Sequence, residues 1–343
     1  MRKYNTAILG ATGAVGQEFL ELIAERNFPF QNLKLLASER SAGKKIEFLG
    51  KTYTVEEATA ESFKGVEIAL FAGGAASKTF APEAVKHGAV VIDNSSAFRM
   101  DPSVPLVVPE VNPEAIRNHK GIIANPNCST IIMVMALKPI YDAVKIKRVV
   151  VSTYQAVSGA GKEAIDELNN QVMAIAANRP VEAKILPSAG LPNHYQIAFN
   201  LLPQVDVFLD DGYSKEELKM VQETQKILDD PDMAITATTV RVPVFRSHSE
   251  SVNLELAGPL TASEAKKLLA AFPGVIVEDD PARQVYPMPL YTSGRDEVFV
   301  GRIREDGTVP HGLNLWVVGD QIRKGAALNA LQIAEYMIKH KLI

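Results

Sequence analysis

The chain has 343 residues, 47% of them hydrophobic and 22% charged, with a formal net charge of −4. That length supports about two domains with a substantial core, and so small a charge gives no electrostatic reason to expect nucleic acid or an anionic membrane as partner. One cysteine excludes an internal disulfide and any multi-cysteine metal site; no metal is expected, and the lack of a signal segment or a bilayer-length apolar run points to a cytoplasmic protein.

Tyr4 to Leu9 reads as a short apolar strand running into Gly10-Ala-Thr-Gly13-Ala-Val-Gly16, with helical spacing from Gln17 to Arg26. Strand, glycine turn and helix together make a dinucleotide site, because backbone amides and a helix N-terminus are brought up to a pyrophosphate. The spacing is G-x-x-G-x-x-G, with Thr12 near the place of the second glycine of the usual G-x-G-x-x-G, so a plain tight turn stays open as the alternative. A second strand, Leu33 to Ala37, leads to Ser38-Glu-Arg-Ser-Ala-Gly43. Ser38, Arg40 and Ser41 would give a ribose phosphate charge and hydroxyl donors, favouring NADP over NAD, while Glu39 would repel it if turned inward.

A hairpin-like stretch (Ile46 to Val55) precedes a buried strand ending at Gly73-Gly74, where small residues let a cofactor approach the backbone. A helix (Ser77 to Lys86) and a strand (Val90 to Asp93) follow, then a polar loop ending in Arg99, a candidate anion ligand or a surface charge. Alternating strands and helices over the first 125 residues predict a parallel sheet with helices on both faces.

Ile122 to Ala124 reads as a strand end, Asn125-Pro126 breaks it, and the run from Ser129 to Tyr141 reads as a buried helix. The only thiol, Cys128, therefore stands at a helix N-terminus, flanked by Asn127, Ser129 and Thr130. There the amides and helix dipole favour a thiolate and could hold an oxyanion on a carbonyl that the sulfur attacks, whereas inert packing would place a cysteine mid-element.

Beyond it, Lys147 to Tyr154 is a β-branched strand delivering Gln155 and the turn Ser158-Gly159-Ala-Gly161, before a helix from Glu163 to about Ala177. Pro180 to Pro203 is loop-rich. Ser214 caps a helix bearing Glu216 and Lys219 three apart, usually a solvated pair. Ala234 to Phe245 and Ser251 to Ala257 read as strands with His248 in the turn between them; a helix (Thr261 to Phe272), three further strands and a small-residue helix from Gly319 complete the chain. Consecutive strands with few helices predict a mixed or antiparallel sheet in a second domain.

With these residues set out, the chain resembles the aspartate-semialdehyde dehydrogenases over essentially its full length. The resemblance rests on Gly10-Ala-Thr-Gly-Ala-Val-Gly16, Ser38-Glu-Arg-Ser-Ala-Gly43, Asn125-Pro-Asn-Cys-Ser-Thr130, Gln155 with Ser158-Gly-Ala-Gly161, and Arg241-Val-Pro-Val-Phe-Arg-Ser-His248. It implies an α/β fold: a Rossmann-like NADP-binding domain (1–127 with 322–343) and an α+β catalytic and dimerisation domain (128–321) with a mixed sheet, like that of glyceraldehyde-phosphate dehydrogenase. The implied reaction is NADPH-dependent reduction of aspartyl phosphate to aspartate semialdehyde with release of phosphate. Cys128 would be the acyl-thioester nucleophile and His248 the general acid/base. Gln155, Arg241, Glu216 and Asn127 would hold substrate, and Arg99 and Lys219 the phosphate. Gly10, Thr12, Gly13, Ala14, Val15, Gly16, Ser38, Arg40, Ser41, Gly73, Ser158, Gly159 and Gln321 would bind cofactor, and the chain would form a homodimer or homotetramer. The rival readings are another acyl-phosphate reductase, such as the N-acetylglutamyl phosphate enzyme, and an inactive cofactor-binding regulatory paralogue.

Overall fold

Strands buried on both faces read as unbroken apolar runs, and the N-terminal strands are of this kind. β1 (Tyr4–Leu9), β2 (Phe30–Ala37), β6 (Ile68–Phe71), β7 (Val90–Asp93) and β8 (Ile122–Ala124) join the short β5 (Glu56–Glu57) in a six-stranded sheet. Its order is β5-β2-β1-β6-β7-β8 and every pairing is parallel; β3 (Lys45–Phe48) and β4 (Lys51–Thr54) form a separate hairpin. Successive side chains divide between the faces. Ile8, Leu35, Ile68, Leu70 and Ile92 join a core with α1 (Ala14–Glu25) and the C-terminal helix α8 (Leu328–Lys339), while Ala7, Leu9, Leu36, Ala69, Phe71 and Val91 join another with α2 (Ala76–Lys86). Strand order reverses between β1 and β6, and their carboxyl ends carry Gly10 and Gly73, the place where such sheets bind ligands.

This computed structural model describes residues 2–343, which divide into two compact units, the first ending at Asn127 and resuming at Gly325–Ile343, the second Cys128–Lys324. The second unit opens with α3 (Cys128–Val144), buried without interruption from Ser129 to Leu137. Its sheet is mixed, in the order β10-β9-β11-β14-β13-β12. The members are β9 (Ile146–Gln155), β10 (Ala234–Arg241), β11 (His248–Leu256), β12 (Val275–Val277), β13 (Val298–Asp306) and β14 (Gly312–Gly319). β10 runs parallel to β9 and β12 to β13, while the remaining pairs are antiparallel. The helices are α4 (Lys162–Ala176), α5 (Lys215–Leu228), α6 (Ala262–Ala271) and the short α7 (Pro289–Thr292).

Three details differ from the sequence reading. The strand expected to reach Phe245 stops at Arg241, because Pro243 has no N–H to give a ladder. His248 is not in an exposed turn: it opens β11, opposite Gly319, and is 1% exposed. The helix expected from Gly319 is delayed. Asp320 first accepts the N–H groups of Ile322 and Arg323, and a π-turn at Arg323–Ala327 precedes α8. Among the described residues no helix is long and apolar enough to cross a membrane.

Candidate active site

In the second unit, β9 and β10 end, and β11 begins, at one edge of the sheet. Arg241 pairs with Gln155 across β10 and β9, and Ser249 with Tyr154 across β11 and β9, so Gln155, Arg241 and His248 lie side by side on one face. All three are buried. Cys128, only partly buried at the first position of α3, brings Sγ to 3.5 Å from His248 Nε2.

The backbone N–H of Ala156 donates to His248 Nδ1 at 3.0 Å. A nitrogen that accepts cannot also carry hydrogen, so the neutral ring bears its proton on Nε2, facing the sulfur. Burial, reinforced by the Arg241 guanidinium against a weaker opposing pull from Glu216, brings the His248 pKa down to about 3 and keeps the ring uncharged at neutral pH. The approach to it is fixed: Ser247, at φ +72°, donates its N–H to Gln321 Oε1 at 2.8 Å, and Gln321 Nε2 in turn donates to Ser158 Oγ. Ser158 and Gln321, expected to touch cofactor, here hold the chain that carries the imidazole.

Gln155 Nε2 donates to Ser129 Oγ and, at 3.0 Å, to Glu216 Oε1, in place of the simple backbone bond a glutamine often makes. Arg241 Nη1 donates to Ala156 O at 2.8 Å. Burial lowers the pKa of this guanidinium, opposed by the nearby charges of Glu216 and Cys128. Arg241 Nε and Gln155 Oε1 are buried without a hydrogen-bond partner. An unmatched donor and an unmatched acceptor in one buried cluster are costly unless a ligand completes them, and the carboxylate and ammonium of an amino acid would do so. Glu216 Oε2 also receives Lys219 Nζ at 3.2 Å, and Lys219 reaches Asp206 Oδ2 at 2.8 Å. Helical spacing alone would make Glu216 and Lys219 a solvated pair; in the fold they are 7% and 25% exposed. The Ser214 capping box with Glu217 starts the helix that presents them. Gly159 passes so close that a Cβ there would stand 2.9 Å from Arg241 Nη1 and 3.2 Å from His248 Nε2.

In the first unit the glycine turn is built for close approach. Gly10 takes φ +85°, and a Cβ on Gly16 would lie 2.2 Å from Gly10 O, which no side chain allows. Gly13 caps α1 without a side-chain bond and no acid occupies its first turn. The N-terminal amides of Ala14, Val15 and Gly16 therefore fit a pyrophosphate. Thr12 Oγ1 donates to Ser41 Oγ at 3.4 Å, joining this turn to the Ser38-Glu-Arg-Ser loop. Ser38, Glu39 and Arg40 are all exposed, so the carboxylate that could have opposed a ribose phosphate faces water. Gly73, at φ +112°, ends the neighbouring strand. Arg99 is buried, its Nε donating to Asn125 O at 3.0 Å and its Nη2 to Asn94 O at 2.7 Å. Asn125 also bonds to Asn94 and Asn329 through its side chain. Arg99 thus braces the Asn-Pro-Asn segment that leads into Cys128; Asn127 is buried within it.

Sequence reasoning overlooked Asp206 and Glu250, and took Ser129 only as a polar neighbour of Cys128, not as a partner of Gln155. Glu250, fully buried and two residues beyond His248 on the same strand, has no hydrogen-bond partner on either carboxyl oxygen. The alternation His248, Glu250, Val252, Leu254 was the available signal for it; Asp206 had none, since its loop brings it to Lys219 only in three dimensions.

A family model described as "Semialdehyde dehydrogenase, NAD binding domain" matches residues 5–119, and "Semialdehyde dehydrogenase, dimerisation domain" matches 137–324. The aspartate-semialdehyde dehydrogenase of Aquifex aeolicus is 59% identical over 99% of both chains. Aspartate semialdehyde dehydrogenase II of Vibrio cholerae, solved complexed with ASA, is 50% identical with a TM-score of 0.94 over 99% of both chains. The Candida albicans enzyme, solved with NADP, is 27% identical with a TM-score of 0.76, covering 99% of this chain and 100% of its own. The chain belongs to the aspartate-semialdehyde dehydrogenase family.

Proposed function

We propose that the protein reduces L-aspartyl phosphate to aspartate semialdehyde with NADPH, releasing phosphate, on the route to lysine, threonine, methionine and diaminopimelate. The observation that carries this reading is the buried cluster in which Cys128 faces the Nε2–H of His248 beside an unmatched donor on Arg241 and an unmatched acceptor on Gln155.

Arg241 holds the substrate carboxylate through its planar fork, and Glu216 pairs with the free ammonium, which an acetylated substrate lacks. Cys128 Sγ attacks the acyl carbon; the C–S bond forms as the C–O bond to phosphate breaks, leaving a thioester. Lys219 meets the departing phosphate, and by family resemblance Arg99 is a second ligand for it. NADPH, when bound, supplies the hydride that reduces this thioester, and the glycine turn, Ser38, Arg40 and Ser41 are the residues that would hold it. As the resulting thiohemiacetal collapses, its C–S bond breaks, the aldehyde leaves and the sulfur returns as thiolate. His248 keeps its Nε2–H on the oxyanion and then on the sulfur. A ring too buried to carry charge is suited to sharing that proton, not to storing a second one. We further infer a cytoplasmic homodimer formed through the second unit.

The test follows NADPH formation from aspartate semialdehyde and phosphate, with NAD and N-acetylglutamate semialdehyde as controls. Phosphate-dependent turnover of the free amino aldehyde alone is expected. Preference for the acetylated aldehyde would move the chain to the other acyl-phosphate reductases, and no turnover of either would leave a binding protein.

A further inference from the structure

Lys219 is held between two carboxylates. Its Nζ lies 2.8 Å from Asp206 Oδ2 and 3.2 Å from Glu216 Oε2. Glu216 has a second duty, accepting from Gln155. Among the described residues Asp206 has no contact of that kind: its other oxygen, Oδ1, accepts the N–H of the next residue, Val207, at 2.9 Å. Its backbone sits in the left-handed region at φ +67°, and Gln204 Nε2 donates to its carbonyl. Aspartate and asparagine tolerate that conformation better than other side chains, and here it aims the carboxylate at the lysine.

Resting on the reading of Lys219 as a phosphate ligand, we propose that Asp206 is an internal competitor for phosphate, a carboxylate stand-in that sets how strongly the lysine holds the oxyanion. A lysine compensated by two carboxylates attracts a third anion weakly, so phosphate must share or exchange Asp206's hold on Nζ. That arrangement favours release of phosphate after the thioester forms, the direction of biosynthesis, over its capture. Asp206 acts through Lys219 and is a positioning residue for charge. With Asp206 about one-third and Lys219 one-quarter exposed, solvent screens the effect to a moderate size.

The experiment measures steady-state kinetics in the phosphorylating direction with inorganic phosphate as the varied substrate. Asp206→Asn keeps the left-handed preference and the Val207 bond while removing the charge. We expect its KM for phosphate to fall about fivefold, with the KM for aspartate semialdehyde moving less than about twofold. Sulfate should inhibit it correspondingly more strongly, and Asp206→Glu should restore the wild-type phosphate KM. Lys219→Met should raise that KM about tenfold, and adding Asp206→Asn to it should recover little. If Lys219→Met leaves the phosphate KM unmoved, the ligand assignment fails and this inference with it. If Lys219→Met raises the KM but Asp206→Asn leaves it unchanged or raises it too, Asp206 merely orients the lysine and the competitor role alone is overturned.

Discussion

Glu250 shows most directly what a single side chain contributes below the reacting groups. Burial, with a further push from Glu216, raises its carboxyl well above the ordinary carboxylate range, so the folded protein holds it as a neutral acid. A folded value above the unfolded one gives stability that is fully present below the unfolded value of 4.5 and lost as pH rises through the folded value. While the folded group is protonated and the unfolded one ionised, the loss is about 1.4 kcal/mol per pH unit. Glu250→Gln, of the same shape but unable to titrate, should flatten that slope and unfold at a higher denaturant midpoint than wild type at mildly alkaline pH. Equal slopes in urea titrations across pH would show that Glu250 is ionised in the fold. Arg241→Lys tests a group that is buried with its charge: lysine keeps the charge but cannot reach Ala156 and a carboxylate together. It should lower kcat/KM by about thirtyfold or more, and unchanged kinetics would remove Arg241 from the site. Cys128 was legible because it is the only thiol and stands at a strand-break-helix junction. His248 was legible by resemblance but misplaced by local pattern, since a polar Arg-Ser-His-Ser-Glu run looks like a turn until the period-two burial is followed back to the histidine itself.

Elements set the precision of the site. The turn Val157–Ala160 carries Gly159 against the tips of Arg241 and His248. Gly159→Ala should displace both by a fraction of an ångström, reducing kcat/KM about tenfold or more through lost alignment while thermal stability shifts little. A large drop in melting temperature with intact kcat would place the glycine's role in folding. At α5 the Ser214 cap is buried and also meets Thr239, so Ser214→Ala should cost about 1 kcal/mol or somewhat more, read from urea midpoints. Caps and apolar strands were readable: Tyr4–Leu9, Val90–Asp93 and Ile122–Ala124 have the bounds their apolar runs predict. Where a strand ends was harder to read. The threonine- and valine-rich run past Arg241 has strand propensity throughout, and only the missing N–H of Pro243 closes it.

For the whole molecule, strand-helix alternation followed by clustered strands predicted a parallel sheet and then a mixed one, because these patterns reflect which faces must be buried. Proximity of residues 120 apart could not be read from spacing: Cys128 and His248 meet because β11 folds back antiparallel on β9 while α3 covers the same face. The second unit also presents Tyr286, Met288 and Trp316 around a largely apolar hollow that extends over the sheet. Sedimentation velocity should find a dimer, and Met288→Asp should shift it toward monomer; a monomeric wild type would contradict the assembly. The most direct measurement of the central claim is intact-mass and peptide mass spectrometry of the enzyme incubated with aspartate semialdehyde and NADP without phosphate. One aspartyl group should appear on the peptide containing Cys128, disappear when phosphate is added, and be absent from Cys128→Ala. An active enzyme with no adduct, or with the adduct on another residue, would contradict it.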